Sequence, residues 1–242
     1  MTQKLQRIVV ADPAALAVAA AGRMVARIHA NSGRIAICLT GGSSPKQLYQ
    51  LLATDDWSRQ IPWGRVHWFI GDERFVPPSD ARNNMAVARE TFLDRLAPKE
   101  HIHPISTDTA TPDESAERYE RELKSFYGAD DLDPKRPLFD FMLLGVGPDG
   151  HTASMFPGYP ALSETKRWVT GVPQAHVEPF VPRVTLTLPP LASCREMLFE
   201  VAGASKRAIL DKLSKDESLP ANQARSIAGE SILLVDRAAV GE

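Results

Sequence analysis

A histidine delivered into a glycine-rich loop straight after an apolar run is the first group in this sequence equipped for chemistry. Gly145-Val146-Gly147-Pro148-Asp149-Gly150-His151-Thr152 follows the run Phe139 to Leu144. A strand ending in glycines is how an α/β protein presents a titrating side chain at its carboxyl end, and an imidazole there can take and return a proton near neutral pH. Gly145, Gly147 and Gly150 also fit G-x-G-x-x-G. That fingerprint needs a helix opening at its third glycine and an acid about 20 positions on. Here Pro157-Gly158 arrives too soon, Glu164 stands too early and Glu178 too late. The remaining alternative is a tight turn in which His151 is an ordinary loop residue.

Three further segments carry anion chemistry. Thr40-Gly41-Gly42-Ser43-Ser44-Pro45 joins an apolar run to a helix. Its glycines, hydroxyls and helix start suit a phosphate, whereas it lacks the Gly-Lys-Ser/Thr of a nucleotide-binding loop, so a monophosphate fits better. Helix capping by Ser43 or Ser44 is the plainer reading. Gly71-Asp72-Glu73-Arg74 leaves a second run into Pro77-Pro78. Arg74 can grip a phosphate through its planar fork, or pair with Asp72 or Glu73. Gly203-Ala204-Ser205-Lys206 repeats the strand-turn-helix form. A lysine in a first helical turn opposes the helix dipole, which a nearby anion would rationalise; a solvated Lys206 is the alternative.

Positioning these groups requires strands alternating with helices. Pro13 to His29, Lys46 to Ala53, Arg82 to Leu96, Asp113 to Tyr127 and Ala204 to Leu213 carry helical character. Arg34 to Leu39, Val66 to Ile70, Phe139 to Leu144, Met197 to Ala202 and Ile232 to Val235 read as buried strands. Val184 to Leu188 alternates Thr with apolar residues, the pattern of a half-exposed strand. The expectation is an α/β protein whose mostly parallel central sheet is flanked by helices, a Rossmann-like single domain over 1–242, with ligands beyond the strands' carboxyl ends.

Composition narrows the partners. With 43% hydrophobic residues in 242 and a net charge of −2, the chain can bury a large core and shows no basic footprint for nucleic acid. Cys38 and Cys194 argue against a disulfide framework. Met1 to Val10 lacks the apolar core of a signal, and no run reaches the roughly 18 apolar residues of a membrane span, so a cytoplasmic protein is expected. Neither metal nor cofactor is expected: paired cysteine spacing and H-E-x-x-H are absent, and His101 and His103 read as solvated.

Taken in order, Thr40-Gly41-Gly42-Ser43-Ser44-Pro45, Gly71-Asp72-Glu73-Arg74, Gly147-Pro148-Asp149-Gly150-His151-Thr152-Ala153-Ser154-Met155-Phe156-Pro157, Arg183-Val184-Thr185-Leu186-Thr187 and Gly203-Ala204-Ser205-Lys206 resemble the motif set of the 6-phosphogluconolactonase family. The resemblance spans most of the chain. It implies a sugar-phosphate isomerase-type fold, a sugar-phosphate substrate, and hydrolysis of 6-phospho-D-glucono-1,5-lactone in the oxidative pentose phosphate pathway.

In that light His151 is the expected general base and Asp72 orients it or Arg74. Arg74, Lys206 and the amides of Gly42 to Ser44 hold phosphate, with Gly41 and Asn84 in the same binding set. Arg183 contacts sugar oxygens or phosphate, and amides around Gly147, Asp149, Gly150 and Thr152 face the oxyanion. The chain departs from the family at Asn83 and Met85, where Ser and Tyr are frequent. Glucosamine-6-phosphate deaminases are similar at the glycine loop. They read Asp-Glu-Tyr where this chain has Asp72-Glu73-Arg74, and carry a glutamate where Thr152 to Gly158 has no acid. A non-catalytic sugar-phosphate sensor would normally bring a DNA-reading module, for which the residues ahead of Arg34 leave no room.

Overall fold

Five of the strands are mainly apolar runs whose residues are nearly all buried, the pattern of a parallel sheet covered by helices. The computed structural model describes residues 5–42 and 44–242. Its larger sheet contains β1 (Gln6–Val10), β2 (Ile35–Leu39), β3 (Val66–Ile70), β5 (Ile102–His103), β6 (Phe141–Leu144), β9 (Glu196–Val201) and β10 (Glu230–Asp236). The order is β1-β10-β9-β6-β2-β3-β5, and every pairing is parallel. After β2 the chain winds outward through β3 and β5; after β6 it winds the other way through β9 and β10. The strand order therefore reverses between β2 and β6, and their carboxyl-end loops part there to leave a crevice.

A second sheet, not foreseen from the sequence, crosses that end of the molecule. β4 (Asp72–Arg74), β7 (Val169–Val172) and β8 (Arg183–Leu186) form an antiparallel sheet in the order β4-β8-β7. β8 was expected to be half exposed, yet all four of its residues are buried. Its alternating threonine is satisfied internally: Thr185 Oγ1 donates to Leu186 O at 3.0 Å and accepts from Ser154 N at 3.1 Å. Period-2 polarity here marks a face turned toward other polar groups rather than water.

Other boundaries shift for local reasons. The helix Pro13–His29 begins at Asp12, whose carboxylate accepts from Ala15 N at 2.8 Å. The segment read as one helix from Arg82 to Leu96 starts only at Asn84, because Arg82 is held by the carboxylate of Asp80. It then passes through a π-turn at Arg89–Leu93, which rotates the buried face onto Met85, Ala88, Phe92 and Leu93. Lys206 ends a 3₁₀ turn, Ala204–Lys206, ahead of the helix Arg207–Leu213. The sheet does not begin at Arg34, since β1 pairs with β10 as a short, largely exposed edge. His101 and His103 are not solvated: His103 Nδ1 lies 2.6 Å from Glu122 Oε1, and the His67 and His101 rings are 4.0 Å apart. Both cysteines are buried thiols. Among the described residues no helix is long and apolar enough to cross a membrane.

One core residue couples the fold to pH. Glu200, in the middle of the sheet, has both carboxyl oxygens buried without a hydrogen-bond partner. Burial pushes its carboxyl up from 4.5 to about 8. The folded protein keeps a proton that the unfolded chain releases, so the contribution is intact below the unfolded value and is lost as pH rises toward the folded one. Near pH 7 this costs roughly 3 kcal/mol. Glu200→Gln should therefore be more stable than the parent at about pH 8 and nearly equal at about pH 4, measured by urea unfolding. Buried Glu73, also pushed up to about 8, retains part of the slope. A parent-like slope in the variant would assign the pH dependence to other groups.

Candidate active site

The crevice between β2 and β6 is a cavity of about 190 Å³ whose walls come from every segment with anion chemistry. Thr40, Gly41, Gly42 and Ser44 line it from β2, Asp72 and Arg74 from β4, and Asn84 from the helix Asn84–Ala88. Gly145 to Pro148, His151, Ala153, Ser154 and Phe156 line it after β6, with Val177, Glu178, Arg183 and Lys206 completing the wall. Ser43 lies outside the described residues. Asp149, Gly150 and Thr152 stand behind the wall rather than in it.

The loop after β6 is built to hold one imidazole. His151 Nδ1 lies 2.5 Å from Asp149 Oδ1, and its backbone N–H donates to the same oxygen at 3.1 Å. Burial would raise the Asp149 carboxyl, but the hydrogen bond and charge of His151, with a further hydrogen bond from His176, hold it well below the usual carboxylate range. An ionised Asp149 accepts at Oδ1, so Nδ1 carries the hydrogen and the lone pair sits on Nε2. Thr152 Oγ1 ties the loop back to Gly145 O at 2.9 Å, and Gly150, at φ +89°, turns the chain against Leu219.

Gly147 lies directly beneath the imidazole, where a Cβ would collide with Cε1 and Nδ1 of His151. Gly147→Ala is therefore expected to push the ring off Asp149 and lower kcat about tenfold while leaving phosphate affinity near the parent's. Steady-state kinetics beside phosphate titration checks this, and a parent-like kcat would show that the ring's seat is dispensable. The oxyanion expectation needs correction in detail. The amides of Gly147, Gly150 and His151 already donate to His151 O, Gly147 O and Asp149 Oδ1, so they do not face the cavity as free donors.

The triplet after β3 divides into three tasks. Glu73, fully buried, accepts from the backbone N–H groups of Arg74, Asn84 and Met85 at 2.8, 2.6 and 2.9 Å, fixing β4 to the start of the next helix. Asp72 bonds neither Arg74 nor His151, contrary to expectation. Its Oδ2 accepts from Ser154 Oγ at 2.6 Å, and its carbonyl accepts from Asn84 Nδ2 at 2.9 Å. Asp72 thus fixes the segment just past His151 rather than His151 itself. Arg74 forms no ion pair with Asp72 or Glu73; its guanidinium donates to Arg82 O at 2.9 Å.

Antiparallel pairing sets Arg74 directly opposite Arg183, which is buried and donates to Pro179 O at 2.8 Å. Each arginine has a buried Nε with no partner. Lys206 adds a third cation: its Nζ donates to Val146 O at 2.6 Å, and burial draws it down from its ordinary value. Gly41 is required because a Cβ would collide with the Asn84 amide, whose Oδ1 is buried and unpartnered in the same wall. The departures at Asn83 and Met85 lie outside the cavity lining. Asn83 caps its helix by accepting from Ala86 N at 2.8 Å, as a serine would, and Met85 is core.

Sequence reasoning did not single out Ser154, Thr185, Glu178 or His176. His176 Nε2 lies 2.7 Å from Asp149 Oδ2 although 27 residues separate them. No spacing signal links the two, because the contact depends on how residues 173–182 return over the cavity between β7 and β8.

Known proteins share this fold. Residues 11–233 match the family model described as glucosamine-6-phosphate isomerases/6-phosphogluconolactonase. A 6-phosphogluconolactonase of Synechocystis sp. is 38% identical over 219 residues, covering 89% of this chain and 87% of that protein. The 6-phosphogluconolactonase structure from Trypanosoma cruzi superimposes with a TM-score of 0.85 at 30% identity, covering 100% of this chain and 98% of that one. A monomeric glucosamine-6-phosphate deaminase, 17% identical with a TM-score of 0.82 over 98% of this chain and 99% of that one, shares the fold. The chain belongs to the glucosamine-6-phosphate isomerase/6-phosphogluconolactonase family.

Proposed function

We propose that this site hydrolyses 6-phospho-D-glucono-1,5-lactone to 6-phospho-D-gluconate, the second step of the oxidative pentose phosphate pathway, with His151 as general base. The observation that carries the reading is one cavity holding an aspartate-oriented imidazole beside two arginines with unpaired buried Nε atoms and a lysine. Buried donors without partners call for an anion, and a phosphate with three acceptor oxygens suits that cation set.

Arg74, Arg183 and Lys206, with the glycine turn after β2, hold the phosphate and bring the lactone carbonyl to His151. Water attacks that carbon as its proton passes to His151 Nε2, and the carbonyl electron pair moves onto oxygen. Collapse of the tetrahedral intermediate breaks the bond to the ring oxygen, which takes the proton back from Nε2. The sum is one water added to one ester, with the imidazole returned neutral. A lactone is an activated ester, so no protein nucleophile is needed. Deamination would ask for further acid–base groups, and the position where deaminases carry a glutamate falls in a segment without acids.

The test generates the lactone in situ from glucose 6-phosphate at mildly acidic pH, where its spontaneous opening is slow, and follows lactone loss against a protein-free blank. Acceleration proportional to protein is expected. None over the blank would sink the lactonase reading, and turnover of glucosamine 6-phosphate would replace it with deaminase chemistry.

A further inference from the structure

The two oxygens of Asp149 hold two different histidines. Oδ1 receives Nδ1 of His151, and Oδ2 receives Nε2 of His176 at 2.7 Å. Phe156 packs between the two imidazoles, its ring centroid 4.8 Å from that of His151 and 4.9 Å from that of His176. Tyr159 packs against both Phe156 and His176, its ring centroid 5.3 and 5.2 Å from theirs. His176 belongs to residues 173–182, the same segment that places Val177 and Glu178 in the cavity wall and offers Pro179 O to Arg183.

We propose that His176 is a positioning residue for the reaction: by occupying the second oxygen of Asp149 it fixes the carboxylate that orients His151 and pins the 173–182 segment against the cavity. The inference rests on the reading of His151 as general base. A carboxylate held by one partner can swing about its own bond, whereas one held at both oxygens presents a single direction to the imidazole it orients. Sharing also divides its charge. Without the His176 donor, more of the Asp149 charge stabilises a protonated His151, so the acid limb of the kcat profile moves to higher pH. The other titratable or charged groups facing this pair among the described residues are Tyr159 beyond the loop, Glu178 on the same segment, and Asp72, Arg74, Arg183 and Lys206 on the cavity's other walls.

Three variants assayed beside His151→Ala test this. His176→Leu keeps the packing on Phe156 and loses the donor; His176→Gln sets an amide N–H near the position of Nε2; His176→Asn is one bond too short. Expected for Leu and Asn are a kcat lowered about tenfold, a lactone KM within about twofold of the parent, and an acid limb raised by about half a pH unit. Gln should restore most of the rate and the parental limb. Partial exposure of His176 makes folding of the variants the expected case, and the Gln/Asn contrast serves if Leu does not fold.

A KM change with kcat and acid limb intact would leave His176 an anchor of the cavity wall only and overturn the proposal. Equal losses in Gln and Asn would overturn it as well. If His151→Ala is inactive while all three His176 variants behave as the parent, this inference alone falls. If His151→Ala keeps its kcat, the general-base reading falls with it.

Discussion

Replacing His151 by Ala is expected to lower kcat by roughly 10²–10⁴-fold, the range a positioned general base supplies, with KM changed by no more than about threefold. The two parameters separate because the imidazole and the cations sit on different elements of one cavity. His151 is held by the loop after β6, whereas Arg74 and Arg183 belong to the antiparallel sheet and Lys206 to the turn after β9. Removing the ring leaves Asp149 its backbone donor and Asp72 its hydrogen bonds to Ser154 and Asn84, so the phosphate seat is expected to survive. A folded variant, shown by an unchanged unfolding midpoint and by retained binding of 6-phosphogluconate, makes the kcat loss interpretable. An unchanged kcat in that variant would transfer the base to another group. A lost product affinity would instead mean that His151 helps form the binding seat, and the separation of roles would fail.

Much of this arrangement was readable in the sequence because it depends on local rules. Mainly apolar runs of four to six residues, followed within two positions by glycine, place β2, β6 and β9 and hence the crevice. His151 was legible in its loop, but the carboxylate expected to orient it was Asp72; Asp149, two residues before the histidine in the same turn, holds the ring instead. What escaped was set by tertiary pairing. β4 is three residues long, and nothing in Asp72-Glu73-Arg74 announces that it leaves the parallel sheet to pair with Arg183-Val184-Thr185. The partner of Asp72 is Ser154, 82 positions away, fixed by the crossing of the smaller sheet over the loop. Glu73, which the sequence offers only as an ion-pair partner for Arg74, instead holds three backbone donors. Thr185 on β8 and Thr187 just beyond it mimic exposure because their hydroxyls are satisfied within the protein.

Arg74→Ala is expected to act on binding and on stability in opposite directions. Opposed like charges on neighbouring strands are unfavourable, and here neither guanidinium satisfies its Nε, so the free protein carries a cost that an anion between them removes. Loss of one charge-assisted contact, worth about 1.5–3 kcal/mol, should raise KM roughly 10–100-fold. Because a phosphate remote from the reacting carbonyl is bound alike in ground and transition states, kcat should stay within about threefold of the parent. Without ligand the variant should unfold at or above the parental temperature, since the Arg74–Arg183 repulsion is gone and only the hydrogen bond to Arg82 O is lost. With 6-phosphogluconate present the order should reverse, as the parent gains stability from ligand in proportion to its tighter binding. Arg183 is the poorer probe, being buried enough that its removal also opens a cavity. Thermal unfolding of parent and Arg74→Ala, each with and without 6-phosphogluconate, reads both signs in one experiment. Equal ligand-induced shifts in the two proteins would remove Arg74 from the phosphate seat, and a variant less stable than the parent without ligand would show that the paired arginines brace the smaller sheet instead of repelling across it.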